Sequence, residues 1–266
     1  MDSSIVAGKQ SQKIWLKMLL AILSVAFFTF VFDCFFVATL ILLGLLVHEY
    51  GHIMGAKYLG IPSRGIYFLP GLGAVALIDE IPSSRSKECF IALCGPLTGM
   101  LFSGLLYILA LISPLTSVAI ILYNGAFLNA FINLFNLLIP VDPLDGGRIL
   151  KSISFSIHKD FGFAMLVFSI CFSGYLFIRM KWFIGLIAGL IGMDTIRKEK
   201  EMYKTRAKMR IFDIIYAILS TGIATIITVN ILSKSNEALT ILKPEQTLSE
   251  LISTEETIEE VTEGAE

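Results

Sequence analysis

The sequence predicts an all-α polytopic membrane protein with about seven transmembrane helices. Two observations carry the prediction. The chain has 266 residues, of which 55% are hydrophobic and 16% charged. Its mean hydropathy is +0.77, more apolar than a soluble core of this size requires. Apolar stretches long enough to cross a bilayer also recur along the chain, separated by short polar or Pro/Gly-rich connections. The net charge of -1 conceals basic clusters between the spans and an acidic end, so the total says little about partners. Membrane lipid is the expected surrounding, and no nucleic acid partner is expected. Cys34, Cys89, Cys94 and Cys171 lie in or beside apolar segments without Cys-x-x-Cys spacing, and read as reduced, packed residues.

Residues 1-33 comprise a polar N-terminal segment and a first span, Ile14 to Phe32, an uncleaved signal anchor. Asp33 is the only charge before the second span, Cys34 to Tyr58. The connection Gly60 to Lys87 holds Pro62, Gly65, Pro70, Gly71, Gly73 and Pro82. Between these breakers, Gly65 to Leu69 and Gly73 to Ile78 are short and apolar, which predicts a membrane-associated β-hairpin turning at Pro70-Gly71. Its open edge could receive an extended peptide; an ordinary packed loop is the competing reading. Glu88 to Ile112 form a third span, with Pro96 inside it to kink or break the helix. Leu115 to Ile139 form a fourth, whose Asn124, Asn129, Asn133 and Asn136 must face other helices or a wet cavity. Pro140 to Arg148, with two prolines and two glycines, read as a non-helical turn.

Residues 151-232 supply further spans, at Phe161 to Ile178, Trp182 to Met193 and Ile211 to Leu232. Between the last two, the basic loop 197-210 carries seven basic residues against two glutamates. It belongs in the cytoplasm by the positive-inside rule. Counting back through the spans puts the N-terminus there too, and places the acidic tail 233-266 outside the cytoplasm. Within that tail, a modest amphipathic helix after Pro244 and a disordered segment are the alternatives.

The second span contains His48-Glu49-Tyr50-Gly51-His52. Two imidazoles four apart on a helix point from one face and can share one metal ion, with Glu49 beside them to act on a water. His52 lies about 9 Å from the end of the helix at 1.5 Å per residue, so the site is buried but nearer one face. Ionisable residues at that depth are costly and usually functional. A catalytic zinc commonly takes a third protein ligand and leaves a fourth position for water. Asp142 and Asp145 fall on the same side of the membrane as His52 and are candidates for that ligand. His158, flanked by Lys159 and Asp160, is a weaker one.

His48-Glu49-x-x-His52 in one span, and Pro140-x-x-x-x-Asp145-Gly146 at the end of a later one, resemble the site-2 protease family of intramembrane zinc metalloproteases. The stretch Pro143 to Leu150 is similar to the bacterial branch that includes sporulation pro-sigma-factor processing enzymes. The resemblance covers roughly Leu40 to Leu150. It implies a three-helix metalloprotease core over 34-150, with His48, His52 and Asp145 binding Zn2+ and Glu49 as catalytic base. Asp142 then becomes a neighbour of the site, read as a solvated turn residue. Two positions depart from the family pattern. An asparagine frequent three residues after the Gly-Pro is Gly99 here, and Asn136 stands with three residues between it and Pro140 instead of two. Asn133 or Asn129 are the residues that could take over.

The expected activity is hydrolysis of a peptide bond in the transmembrane segment of a single-span, membrane-tethered protein substrate, as in regulated intramembrane proteolysis. The enzyme is expected in a bacterial cell membrane, with its active site nearer the cytoplasm. The alternatives are a metal transporter or a non-catalytic metal-dependent membrane sensor using the same ligands, and, more weakly, an inactive scaffold that binds membrane helices.

Overall fold

A computed structural model describes residues 3-69, 73-78, 80-180 and 183-242. The Pro70-Gly71 turn, Trp182 and the expected tail helix after Pro244 lie outside the described residues. Among the described residues, eight helices and two strands follow in the order α1 (Ser3–Phe32), α2 (Phe35–Tyr58), β1 (Ser63–Leu69), β2 (Gly73–Ile78), α3 (Arg85–Ile112), α4 (Thr116–Leu138), α5 (Asp145–Ile157), α6 (Lys159–Met180), α7 (Phe183–Met202) and α8 (Ile211–Leu242). Six of these helices, α1, α2, α3, α4, α6 and α8, are long and apolar enough to cross a membrane. The protein is therefore an integral multi-pass membrane protein. Large apolar side chains exposed along α1 and α8, among them Phe30, Ile218 and Ile226, face where lipid would lie.

The seventh expected span falls in α7, which is apolar from Phe183 to Met193 and charged from Asp194 onward. It nevertheless runs back alongside α6. The Ser173 hydroxyl donates to the Gly185 carbonyl near one end (2.6 Å), and Glu199 near the other end meets Arg85 at the start of α3. The α7 helix absorbs the first part of the expected basic loop, because Glu199 finds buried partners there.

Local sequence explains where the elements begin and end. Asp33 takes a left-handed backbone (φ 49) in the two-residue connection between α1 and α2. Gly60 (φ 73) closes α2, and Lys57 sits in the last turn, where a cation favours the helix dipole. The strands pair antiparallel from Leu69↔Gly73 to Ser63↔Ile78, with a register shift between Ser63 and Gly65. Gly65 supplies the positive φ of 95° at that shift, a conformation other residues resist. Ser84 caps α3 by accepting from the Lys87 N–H at 3.2 Å, and the helix then runs through Pro96 without a break.

The turn expected over Pro140 to Arg148 ends at Leu144, and the helix α5 begins at Asp145. Leu144 is its N-cap, and Gly146 and Gly147 belong to its first turn. A Cβ on Gly146 would lie 2.2 Å from the Leu137 carbonyl oxygen, and one on Gly147 2.3 Å from the Val141 carbonyl carbon. The two glycines thus let α5 start in contact with the backbone that ends α4.

The centre of the molecule is α3, which packs on α2, α4, α5 and α8. Around its first turns lies a buried, charge-balanced ion network. Arg85 binds Glu199 (2.7 Å), Arg206 binds Glu199 (3.0 Å) and Glu88 (2.7 Å), and Lys151 binds Glu88 and Asp142 (both 3.0 Å). Asp142 is therefore not the solvated turn residue expected. It is 4% exposed, because Lys151 and the Thr195 hydroxyl (2.6 Å) satisfy its carboxylate and its N–H donates to Ser169 (2.9 Å). Such buried pairs contribute little net stability but fix which elements dock together. Here they join α3, α5, α7 and the segment after α7.

Candidate metal centre

The expected one-face geometry of α2 is present. His48 and His52 stack one turn apart with ring centroids 4.9 Å apart and their Nε2 atoms separated by 3.2 Å. Both are 4% exposed. They lie against α3 at Gly95, where a Cβ would fall 2.3 Å from His52 Nε2 and 2.9 Å from His48 Nε2. Only a glycine leaves room for two imidazoles on that helix face.

The α4–α5 connection brings Asp145 to the same point. Its Oδ2 is 3.1 Å from His48 Nε2 and its Oδ1 is 3.3 Å from His52 Nε2. The His48, His52 and Asp145 ligand atoms all lie within 4.8 Å of one another, a group able to hold a metal ion. Asp142 does not join it, and His158 is exposed 3.8 Å from Asp160.

The donor set fits a zinc-type ion on the chemistry of its hydrogen bonds. His52 Nδ1 lies 2.7 Å from the Ile91 carbonyl oxygen. That atom can only accept, so Nδ1 carries the proton and Nε2 of the neutral ring offers a lone pair. His48 Nδ1 is 2.7 Å from Asn133 Oδ1. Two imidazole lone pairs and a carboxylate converging on one buried point repel each other unless a proton or a cation sits between them. Two nitrogens and one oxygen also match the donor types of a catalytic zinc set, and ring N–H groups held by a carbonyl or amide are its usual outer support.

Glu49 lines the same cavity. One carboxylate oxygen accepts from the Ala76 N–H of β2 at 2.6 Å. The cavity holds about 570 Å³ and is walled by β2 from Gly73 to Ala76, by Phe131, Ile132 and Phe135 of α4, and by Pro143 to Asp145. Arg148 lies at its edge, 3.8 Å from Asp145 Oδ1.

Of the four asparagines of α4, Asn124 bonds only its own helix. Asn129 donates to the Leu40 carbonyl (3.1 Å) and acts as interhelical glue. Asn136 donates to Asp145 Oδ2 at 2.8 Å, accepts from the Asp145 N–H at 3.4 Å, and lies 3.0 Å from His48 Nε2. The residues that sequence reasoning missed are Gly95, the Ile91 carbonyl and the Ala76 N–H. The last two are backbone groups and leave no signal in residue types.

The family model of Peptidase family M50 matches residues 35–119. A zinc metalloprotease of Methanocaldococcus jannaschii is 34% identical over 128 residues, 47% of this chain and 35% of the relative. Rip3 of Mycobacterium tuberculosis is 32% identical over 128 residues, 46% of this chain and 32% of the relative. The chain spans about a third of the length of the curated relatives it matches. The solved structure of the site-2 protease from Methanocaldococcus jannaschii aligns with a TM-score of 0.46 at 24% identity, covering 67% of this chain and 83% of that one. The matched segment holds His48, Glu49, His52 and Gly95, so the part of the chain that carries the two imidazoles is the part similar to Peptidase family M50.

Proposed function

We propose that this chain is an intramembrane zinc metalloendopeptidase that cleaves the transmembrane segment of a membrane-tethered protein. The observation that carries the reading is the convergence of three metal-ligand side chains and one carboxylate, Glu49, on a single apolar cavity within the helices that cross the membrane. The names of the curated relatives, zinc metalloproteases, support the same metal and reaction class.

His48 Nε2, His52 Nε2 and an Asp145 oxygen would hold the zinc ion. When bound there, zinc supplies Lewis acidity toward a water and a scissile carbonyl. Glu49 takes a proton from the attacking water on a carboxylate oxygen and later delivers it to the leaving nitrogen. The Ala76 N–H orients that carboxylate. Asn136 holds Asp145 at two points, donating from Nδ2 to a carboxylate oxygen and accepting at Oδ1 from the backbone N–H. The walls from β2 and α4 replace lipid with a shaped, mostly apolar cleft in which an unwound substrate segment fits and bulk water is scarce.

The site lies nearer the cytoplasmic face in this reading, with the N-terminus cytoplasmic and the C-terminal tail outside. The charge distribution supports that orientation, and so does the antiparallel α6–α7 pair, which returns the chain to the side of Arg85 before α8 begins.

The test is zinc content of the purified full chain beside cleavage of single-span reporter proteins. Wild type is expected to hold zinc and cut, and His48→Ala and Asp145→Ala to lose both. A His48→Ala chain that still cuts would overturn the assignment.

A further inference from the structure

Gly44, Gly95 and Gly99, on α2 and α3, each sit where a polar side chain from a neighbouring helix enters. Gly95 accommodates the two imidazoles. At Gly44 a Cβ would lie 1.6 Å from Asn129 Oδ1, and at Gly99 a Cβ would lie 2.0 Å from Asn133 Oδ1 and 2.5 Å from its Cγ. The Gly99 notch has a consequence for the metal site, because the amide that fills it also touches a proposed ligand.

We propose that Asn133 is a positioning residue for the metal centre, seated in the notch at Gly99, which fixes His48 in the tautomer whose Nε2 faces Asp145. The inference rests on reading His48, His52 and Asp145 as a metal site. Asn133 is 4% exposed. Its Nδ2 donates to the Asn129 carbonyl at 2.8 Å, an atom that only accepts. The amide orientation is thereby fixed, and Oδ1 is the atom that faces His48 Nδ1 at 2.7 Å. An acceptor there requires the His48 proton on Nδ1 and leaves Nε2 free for a cation.

The Asn129 carbonyl belongs to the α4 backbone one turn earlier, so the orientation of the ring is set by one side-chain amide anchored on its own helix. The other imidazole uses a backbone carbonyl, Ile91, for the same purpose. His48 Nδ1 meets a side chain instead, and that side chain depends on residue 99 having no Cβ.

The dependence gives a test that does not use cleavage. Zinc affinity is measured by competition with a chelator on the full chain in detergent. Cobalt(II) replaces zinc for a visible spectrum, which reports ligand geometry. Asn133→Leu removes the acceptor, and loss of an outer-shell partner of this kind lowers metal affinity about 10–100-fold. Gly99→Ala leaves every polar group in place yet pushes the amide out, and is expected to lower affinity and change the cobalt spectrum in the same direction. Asn133→Asp keeps an acceptor facing Nδ1 and is expected to retain most of the affinity.

The reciprocal pair Gly99→Asn with Asn133→Gly starts an amide from α3, 2.0 Å from where the present oxygen sits. It is expected to recover affinity lost in Asn133→Leu. A purely structural role for Asn133 predicts that the apo chain loses thermal stability while the cobalt spectrum stays at wild type, and that result overturns the proposal. Wild-type affinity in Gly99→Ala overturns it as well. If Asn133→Leu does not fold, Gly99→Ala and Asn133→Asp decide the question. A chain that binds zinc normally but cuts no peptide would refute the proposed function and not this inference, since the readout here is the metal alone.

Discussion

Gly95→Ala adds one methyl group to α3 and bears directly on whether two imidazoles share a metal. The new carbon would stand 2.3 Å from His52 Nε2 and 2.9 Å from His48 Nε2. Non-bonded heavy atoms settle at about 3.5 Å, so His52 must retreat by roughly 1 Å. A metal site tolerates only about 0.2 Å in its ligand distances. If α2 and α3 instead move apart, overpacking of this kind costs about 1–3 kcal/mol, which a folded bundle can survive. The expected result is a folded protein that has lost most of its zinc affinity. Zinc per polypeptide after gel filtration reads the metal, and circular dichroism with thermal melting reads the fold. Gly95→Ala that keeps one zinc per chain with an unchanged cobalt spectrum would refute the geometry.

Lys151→Met leaves the buried carboxylates of Glu88 and Asp142 short of a partner. Breaking a buried network in this way costs about 3–5 kcal/mol, measurable as a lowered melting temperature, with partial recovery when Glu88→Gln is added. Burial works against the charge on Lys151, but Glu88 and Asp142 outweigh it and raise its pKa above the ordinary 10.5. Its contribution to stability is therefore complete below pH 10.5 and is lost as pH climbs through the raised value, which melting curves across alkaline pH would record. Ala76→Pro removes the N–H that holds Glu49 and, at the β2 edge, should slow cleavage about tenfold or more while leaving zinc content unchanged. Equal loss of zinc would place Ala76 in the metal support instead.

The parts of this structure legible in sequence were those set by local spacing. His48 and His52 four apart, with Glu49 beside them, gave the face of α2, and the Pro/Gly breakers gave both strands nearly to the residue. Asp145 was reachable only through topology or motif, because it lies 97 residues from His48. The helix α5 was hidden because two glycines and two prolines within Pro140 to Arg148 read as a turn. Only contact with the carbonyls of Leu137 and Val141 shows that the glycines serve close packing at a helix start. Asp142 looked solvated for the same reason, since its partners Lys151 and Thr195 lie 9 and 53 residues away. The polar face Asn129, Asn133 and Asn136 was visible at spacings of four and three, but not which amide would meet which ligand.

The central claim is that Glu49 moves the proton in a hydrolysis that takes place inside the membrane. It is tested most directly by the masses of the products formed from a single-span substrate with wild type and with Glu49→Gln, each checked for zinc. The account predicts new termini within the apolar segment for wild type alone, with zinc present in both proteins. Cleavage by Glu49→Gln at the wild-type rate, or termini confined to the soluble flanks of the substrate, would contradict it.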